Sequence, residues 1–107
     1  MSHTALFIRH RAKPGMRDDV RRIWERYVRT KVASNDEHLA CFYCYDDSSP
    51  DLVDVFQLHA SREGGKAFIE QAWYPACEKE AAALLAGPSE LRTATPQWIK
   101  GAGDQDG

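Results

Sequence analysis

Nowhere do these 107 residues hold the roughly 18 to 20 consecutive apolar residues that a membrane-spanning helix needs. Met1-Ser2-His3-Thr4 also lacks the basic-then-apolar layout of a signal peptide, so a cytoplasmic protein with no membrane partner is expected. Cysteine is sparse. Three cannot all pair within one chain, and 43% hydrophobic residues can build a core without disulfide staples, which predicts reduced thiols. Missing too are a dinucleotide fingerprint, a P-loop and a nucleophile elbow, since Gly64-Gly65 has neither the spacing nor the lysine or serine context of any of them. A large net charge is also absent, but the value of -2 hides an asymmetry: residues 9–31 hold nine Lys/Arg against three acids, the other 84 residues five against thirteen. The arginines fall on the outer side of an amphipathic stretch without interleaved exposed aromatics. That pattern predicts a solvated or subunit-facing helix surface and no nucleic-acid partner.

What is present is a readable alternation of periods. Thr4 to Ala12 places Leu6, Ile8 and His10 on one side and Phe7, Arg9 and Arg11 on the other, a strand pattern that stops at Lys13-Pro14-Gly15. From Met16 the apolar residues fall at Val20, Ile23, Trp24, Tyr27 and Val28, with Asp18 and Asp19 in the first turn, which predicts a helix to about Ala33. Leu39 to Tyr45 and Leu52 to His59 are rich in residues that fit a pleated surface, and the turn-forming residues from Asp46 to Asp51 join them as a hairpin. Ser61 caps a short helix over Glu63 to Gln71, weakened by Gly64-Gly65. Trp73-Tyr74-Pro75 marks a break before a second helix from Ala76 to Leu85. Leu91 to Ile99 forms a last strand, confined by Pro96 to an edge, and Gly101 to Gly107 is a frayed tail.

The order strand, helix, strand, strand, helix, strand is a split βαβ pattern. It predicts one α+β domain over residues 1–100, ferredoxin-like (βαββαβ), with an antiparallel sheet and helices on one face. The other sheet face, carrying Phe7 and aromatics from the remaining strands, is half apolar. A homodimer that buries it follows.

From Thr4 to Lys100 the chain resembles the antibiotic biosynthesis monooxygenase family of dimeric α+β barrels. The resemblance rests on a first strand ending in Arg11-Ala-Lys-Pro-Gly15, the amphipathic helix, the Leu39 to Asp46 and Val53 to His59 strands, and Ser61-Arg-Glu opening a helix that leads to Gln71-Ala-Trp-Tyr-Pro75. It implies a dimer formed through the sheets, a small-molecule pocket between sheet and helices, and oxygenation of a quinol or anthrone without metal or flavin. Two positions depart from the haem-degrading branch of that family. Ile8 stands where that branch has an asparagine, and Ala83 where it has an axial histidine, so haem cleavage is disfavoured. Trp73 and the aromatic Tyr74 are the pocket residues that the resemblance carries over. A Glu-x-Trp pair found late in the third strand of many relatives is replaced by Gln57 and His59, and their Thr-Pro-His by Gln71-Ala72-Trp73.

Oxygenation without a cofactor needs a substrate that gives an electron to molecular oxygen once deprotonated, hence a base, a dry aromatic-lined cavity and donors for the developing oxyanion. Imidazole is the simplest base. His59, at a strand end beside a helix start, stands slightly ahead of His10 on the Leu6/Ile8 side of the first strand; His38 falls before the second strand, and His3 in a frayed end. Helical spacing puts Phe68 and Tyr74 beside Trp73, lining one cavity with Ile8, and Cys77 four residues on shares the inward face. A metal site is not expected. Cys41 and Cys44 lie three apart on a strand, point to opposite faces, and no second Cys/His pair follows. The alternatives to an oxygenase are an isomerase or decarboxylase-like enzyme using one base, a non-catalytic ligand-binding or stress-response dimer, and a structural role.

Overall fold

The structure is a computed structural model and describes residues 3–101. β1 (Thr4–Arg11) alternates as its sequence does, with Phe7, Arg9 and Arg11 exposed and Leu6, Ile8 and His10 turned toward the helices. After the Lys13–Met16 turn, in which Gly15 has φ +80°, the chain runs through α1 (Arg17–Trp24), a five-residue π-helical segment (Glu25–Arg29) and α2 (Thr30–Ala33). The predicted helix is therefore continuous but widened in its middle. The wide turn leaves Trp24 and Val28 facing inward, while Tyr27 hydrogen-bonds Glu80 with its hydroxyl. The arginines on the outer side are paired with acids, Arg21 with Glu25 at 3.2 Å and Arg22 with Asp19 at 2.5 Å, as solvated helix surfaces often are.

β2 (His38–Tyr45) and β3 (Leu52–His59) form the hairpin, with a bulge between His38 and Ala40. The four strands lie in the order β2-β3-β1-β4, all pairings antiparallel, with helices against one face: the ferredoxin-like α+β fold. α3 (Arg62–Ile69) starts where Ser61 accepts a hydrogen bond from the Gly64 N–H at 3.0 Å. α4 (Tyr74–Ala82) begins two residues earlier than the sequence suggests, because Pro75 sits in its first turn, where a missing N–H costs nothing. Ile23, Val28, Phe68 and Cys77 form a buried cluster between the helices.

The last strand is shorter than expected. β4 is Glu90–Ala94, not Leu91 to Ile99, because its partner β1 begins at Thr4, one residue beyond the Ala5–Ala94 pair, and Pro96 has no N–H to extend a ladder. Beyond it Trp98 is 79% exposed. His3, expected in a frayed end, instead bonds through Nδ1 to the Ala60 carbonyl at 3.2 Å. The tail beyond Gly101 lies outside the described residues. On the open sheet face Phe7, Phe56 and Phe42 are neighbours in register, with ring centroids 5.2 and 5.7 Å apart, and Phe42 is 57% exposed. Cys44 shares this exposure; Cys41 is half-buried and Cys77 buried.

Candidate functional site

Between the sheet and the helices lies a cavity of about 800 Å³. This is within the ~300–1,000 Å³ typical of small-molecule pockets. Its floor is the inward side of the sheet: Leu6, Ile8 and His10 from β1, Tyr43 from β2, Val55, Gln57 and His59 from β3. Its roof is Val20, Ile23, Trp24 and Val28 from the first helical run, Phe68 from α3, and Tyr74 and Cys77 from α4. The period-two floor and the 3.6-period roof are what place apolar side chains on both walls.

Six of the seven residues singled out from the sequence meet here: His59, His10, Ile8, Phe68, Tyr74 and Cys77. Trp73 does not. It caps the start of α4, stacks edge-on against Phe68 at 5.3 Å and Tyr74 at 5.6 Å, and donates its indole N–H to Gln71 at 2.7 Å. The chain bends between α3 and α4, so Trp73 packs behind the cavity wall rather than in it.

Two imidazoles stand in the wall at opposite ends. His10 is half-buried and its Nδ1 lies within hydrogen-bond distance of the Ser89 hydroxyl; burial pushes its pKa down. His59 is almost fully buried, at 3% exposure. Its Nε2 lies 3.0 Å from Oε1 of Gln57, and its buried Nδ1 has no hydrogen-bond partner among the described residues. Burial and the neighbouring His38 push its pKa down, opposed by the Glu37 carboxylate. His38, opposite His59 in the β2–β3 register, stacks on it at 4.4 Å and reaches the same Gln57 oxygen at 3.2 Å. The Asn35 amide in turn lies 2.8 Å from His38 Nδ1.

Gly64 and Gly65 explain how α3 comes so close. A Cβ at Gly64 would overlap the Glu37 carboxylate, which accepts from the Ser61 hydroxyl at 2.9 Å, and one at Gly65 would sit 3.2 Å from the His59 ring. What reads in sequence as a weakness of the helix is the condition for seating it on the histidine end of the sheet. Tyr43 is a further wall residue that the sequence did not single out. Its hydroxyl is buried without a partner among the described residues, its ring packs on Trp24 at 4.6 Å, and burial raises its pKa. Cys77 is held as a thiol, its pKa pushed up to about 11 chiefly by burial. Among the described residues no group of three His, Cys, Asp or Glu is placed to hold a metal ion, and no helix is long and apolar enough to cross a membrane.

No protein-family model and no curated protein matches the chain. Solved structures do. A Chloroflexus aurantiacus protein provisionally named an antibiotic biosynthesis monooxygenase is 24% identical, with a TM-score of 0.78 over 95% of this chain and all of its own. A Nitrosomonas europaea protein with the same provisional name gives a TM-score of 0.82 at 10% identity, over 91% of this chain and 92% of its own. SnoaB, a cofactor-independent oxygenase from Streptomyces nogalater, gives 0.80 at 10% identity, over 94% of this chain and 99% of its own. The resemblance read from the strand, turn and helix succession thus agrees with the architecture: the chain has the ferredoxin-like α+β fold of the antibiotic biosynthesis monooxygenases.

Proposed function

We propose that this protein is a cofactor-independent monooxygenase of the antibiotic biosynthesis monooxygenase type, acting on a small aromatic substrate such as a quinol or anthrone, with molecular oxygen. The observation that carries this reading is an imidazole, His59, in the wall of a large, mostly apolar cavity, with one ring nitrogen buried and free of any partner among the described residues. The fold shared with SnoaB supports it.

The chemistry follows from those parts. Trp24, Tyr43, Phe68 and Tyr74 surround a planar ring with aromatic surface, in walls that are mostly apolar. His59 takes the acidic proton of an anthrone methylene, leaving a delocalised carbanion. That carbanion gives one electron to oxygen, and the radical pair combines to a peroxide on the same carbon. Protonation of the peroxide and loss of water leave a carbonyl: one oxygen atom ends in the product and the other in water, with the two methylene hydrogens.

An oxygen electrode with a panel of hydroquinones and anthrones tests the reading, the chain itself being the only catalyst added. Oxygen uptake stoichiometric with quinone formation is expected, and His59→Asn should lower it about 100-fold or more. Tight binding of the panel without uptake would place the protein among the non-catalytic ligand binders instead. The proposal includes a homodimer closed over the Phe7, Phe56 and Phe42 row, since that exposed aromatic strip lies on the face opposite the cavity.

A further inference from the structure

A chain of hydrogen bonds ends at the buried edge of His59, and each link dictates the proton position of the next. It begins on the backbone, where the Glu37 N–H donates to Oδ1 of Asn35 at 3.3 Å. With its oxygen so engaged, Asn35 can offer only its NH2 group to His38 Nδ1, 2.8 Å away. His38 Nδ1 is then an acceptor, and the neutral ring carries its proton on Nε2. That N–H points at Gln57, 3.2 Å away, and so demands the amide oxygen there and not the amide nitrogen. The same oxygen lies 3.0 Å from His59 Nε2, which must therefore also be an N–H donor. By elimination the lone pair of neutral His59 is on Nδ1, beside Gly65, where no side chain intervenes.

We propose that Asn35, His38 and Gln57 are positioning residues that hold His59 in the Nε2–H tautomer and so leave its lone pair on Nδ1, packed against Gly65. The inference rests on the oxygenase reading for its purpose, but not for its geometry. An imidazole with both nitrogens free would divide between two tautomers, and only one of them presents a base at a given position. Here a solvent-edge asparagine sets the tautomer of a side chain two residues deeper through a shared carbonyl. His38 stacks on both His59 and Phe68, at 4.4 and 4.5 Å, which keeps the intermediate ring from turning. The charged neighbour of the cluster is Glu37, whose carboxylate is tied to Ser61.

Long-range proton–nitrogen NMR spectra of the histidine-labelled whole chain, at about pH 8 where an imidazole is neutral, read tautomers without any substrate. In the unsubstituted protein His59 should show a pyridine-like Nδ1, far downfield, and a pyrrole-like Nε2. Asn35→Ala frees His38 to take the other tautomer and Gln57 to turn, so the His59 Nδ1 resonance should move upfield toward the average of the two forms. His38→Phe keeps a ring in the stack and should do the same. Gln57→Glu offers acceptor oxygens only, so Asn35→Ala/Gln57→Glu should restore the Nε2–H pattern, a rescue that packing alone would not produce. A proton on Nδ1 in the unsubstituted protein would overturn the proposal, as would an unchanged His59 spectrum in both single variants. Failure of every quinol to turn over would instead overturn the oxygenase reading, leaving the tautomer result standing.

Discussion

Lowering the pH from 8 toward 5 should destabilise this protein more steeply than its carboxylates can explain. Burial holds the pKa values of His10, His38 and His59 below the ordinary imidazole value, and His38 lowers His59 further. In the unfolded chain each regains a pKa of about 6.5. Above that value neither state is protonated and the full stability is present. As the pH falls below it, the unfolded chain takes up protons that the folded chain refuses, so stability is lost until the depressed folded values are reached, and then levels off. Each refusing imidazole contributes at most about 1.36 kcal/mol per pH unit, which sets a ceiling of about 4 kcal/mol per pH unit for the three. The half-exposed His38 and His10 will fall short of their share, because water can partly solvate the charge. Carboxylates titrate near pH 4, below this window, and Asp46, held by the Ser48 hydroxyl and backbone, lower still. Urea midpoints at constant protomer concentration, taken from about pH 8 to about pH 5, measure the slope. His59→Gln should flatten it by up to about a third. A flat profile between pH 7 and pH 5, or an unaltered slope in that variant, would refute the picture of histidines buried neutral.

Trp73→Phe should cost roughly 1 to 2 kcal/mol by thinning the stack behind Phe68, yet leave the affinity for cavity ligands unchanged in a fluorescence titration. Phe68→Ala should cost about 3 to 5 kcal/mol and alter ligand affinity as well, because that ring is both core and wall. Phe42→Asp should shift light scattering from dimer to monomer; a chain already monomeric at every micromolar concentration would end the dimer proposal. Thiol labelling offers an independent check, since Cys44 shares the open face while the Cys77 thiol is buried and hard to ionise. Cys44 should label fast in dilute protein and more slowly as concentration brings copies together, and Cys77 only on unfolding.

The fold was legible because hydrophobic period and turn chemistry agree along most of the chain. Leu6, Ile8 and His10 share a side by strict alternation, and the β3 boundaries at Leu52 and His59 follow from the turn residues before and the Ser61 cap after. The same alternation carried Ile8 and His10 to the cavity, and helical spacing carried Phe68 and Cys77. What period could not convey is the bend between α3 and α4. Resemblance and spacing place Trp73 in the wall, but its cap position at the start of α4 turns it away. Nor could single positions reveal a network. Asn35 reads as a loop residue, Gln57 as a strand residue and Gly64-Gly65 as helix breakers. Their roles appear only when β2, β3 and α3 are brought together, through contacts such as His38 with Gln57, 19 residues on, and Glu37 with Ser61, 24 residues on. The five-residue π-helical segment is likewise invisible to a pattern that assumes constant pitch.

In the proposed reaction, water is what should discriminate between the two candidate bases. His10 pairs with Val53 and His59 with Thr4 across the same two strands, so six residues of β1 separate them, about 20 Å at ~3.3 Å per residue. A substrate of a few rings cannot touch both. A carbanion waiting for oxygen is lost if solvent returns its proton, so the productive end must be the drier one. The His10 end lies beside the start of β4, with Leu91 60% exposed and Ser89 already engaging the ring. At the other end α3 closes over His59, made possible by Gly64 and Gly65. His10→Asn should therefore change the apparent KM, by altering how the far end of a substrate is held, while leaving kcat within about twofold. His59→Asn should lower kcat about 100-fold or more with KM little altered. In the unsubstituted protein kcat should rise with pH through an apparent pKa below the ordinary imidazole value, since burial and His38 both favour the neutral ring. If His10→Asn removes turnover and His59→Asn spares it, the proton is taken at the wetter end and the argument from solvent exclusion is wrong.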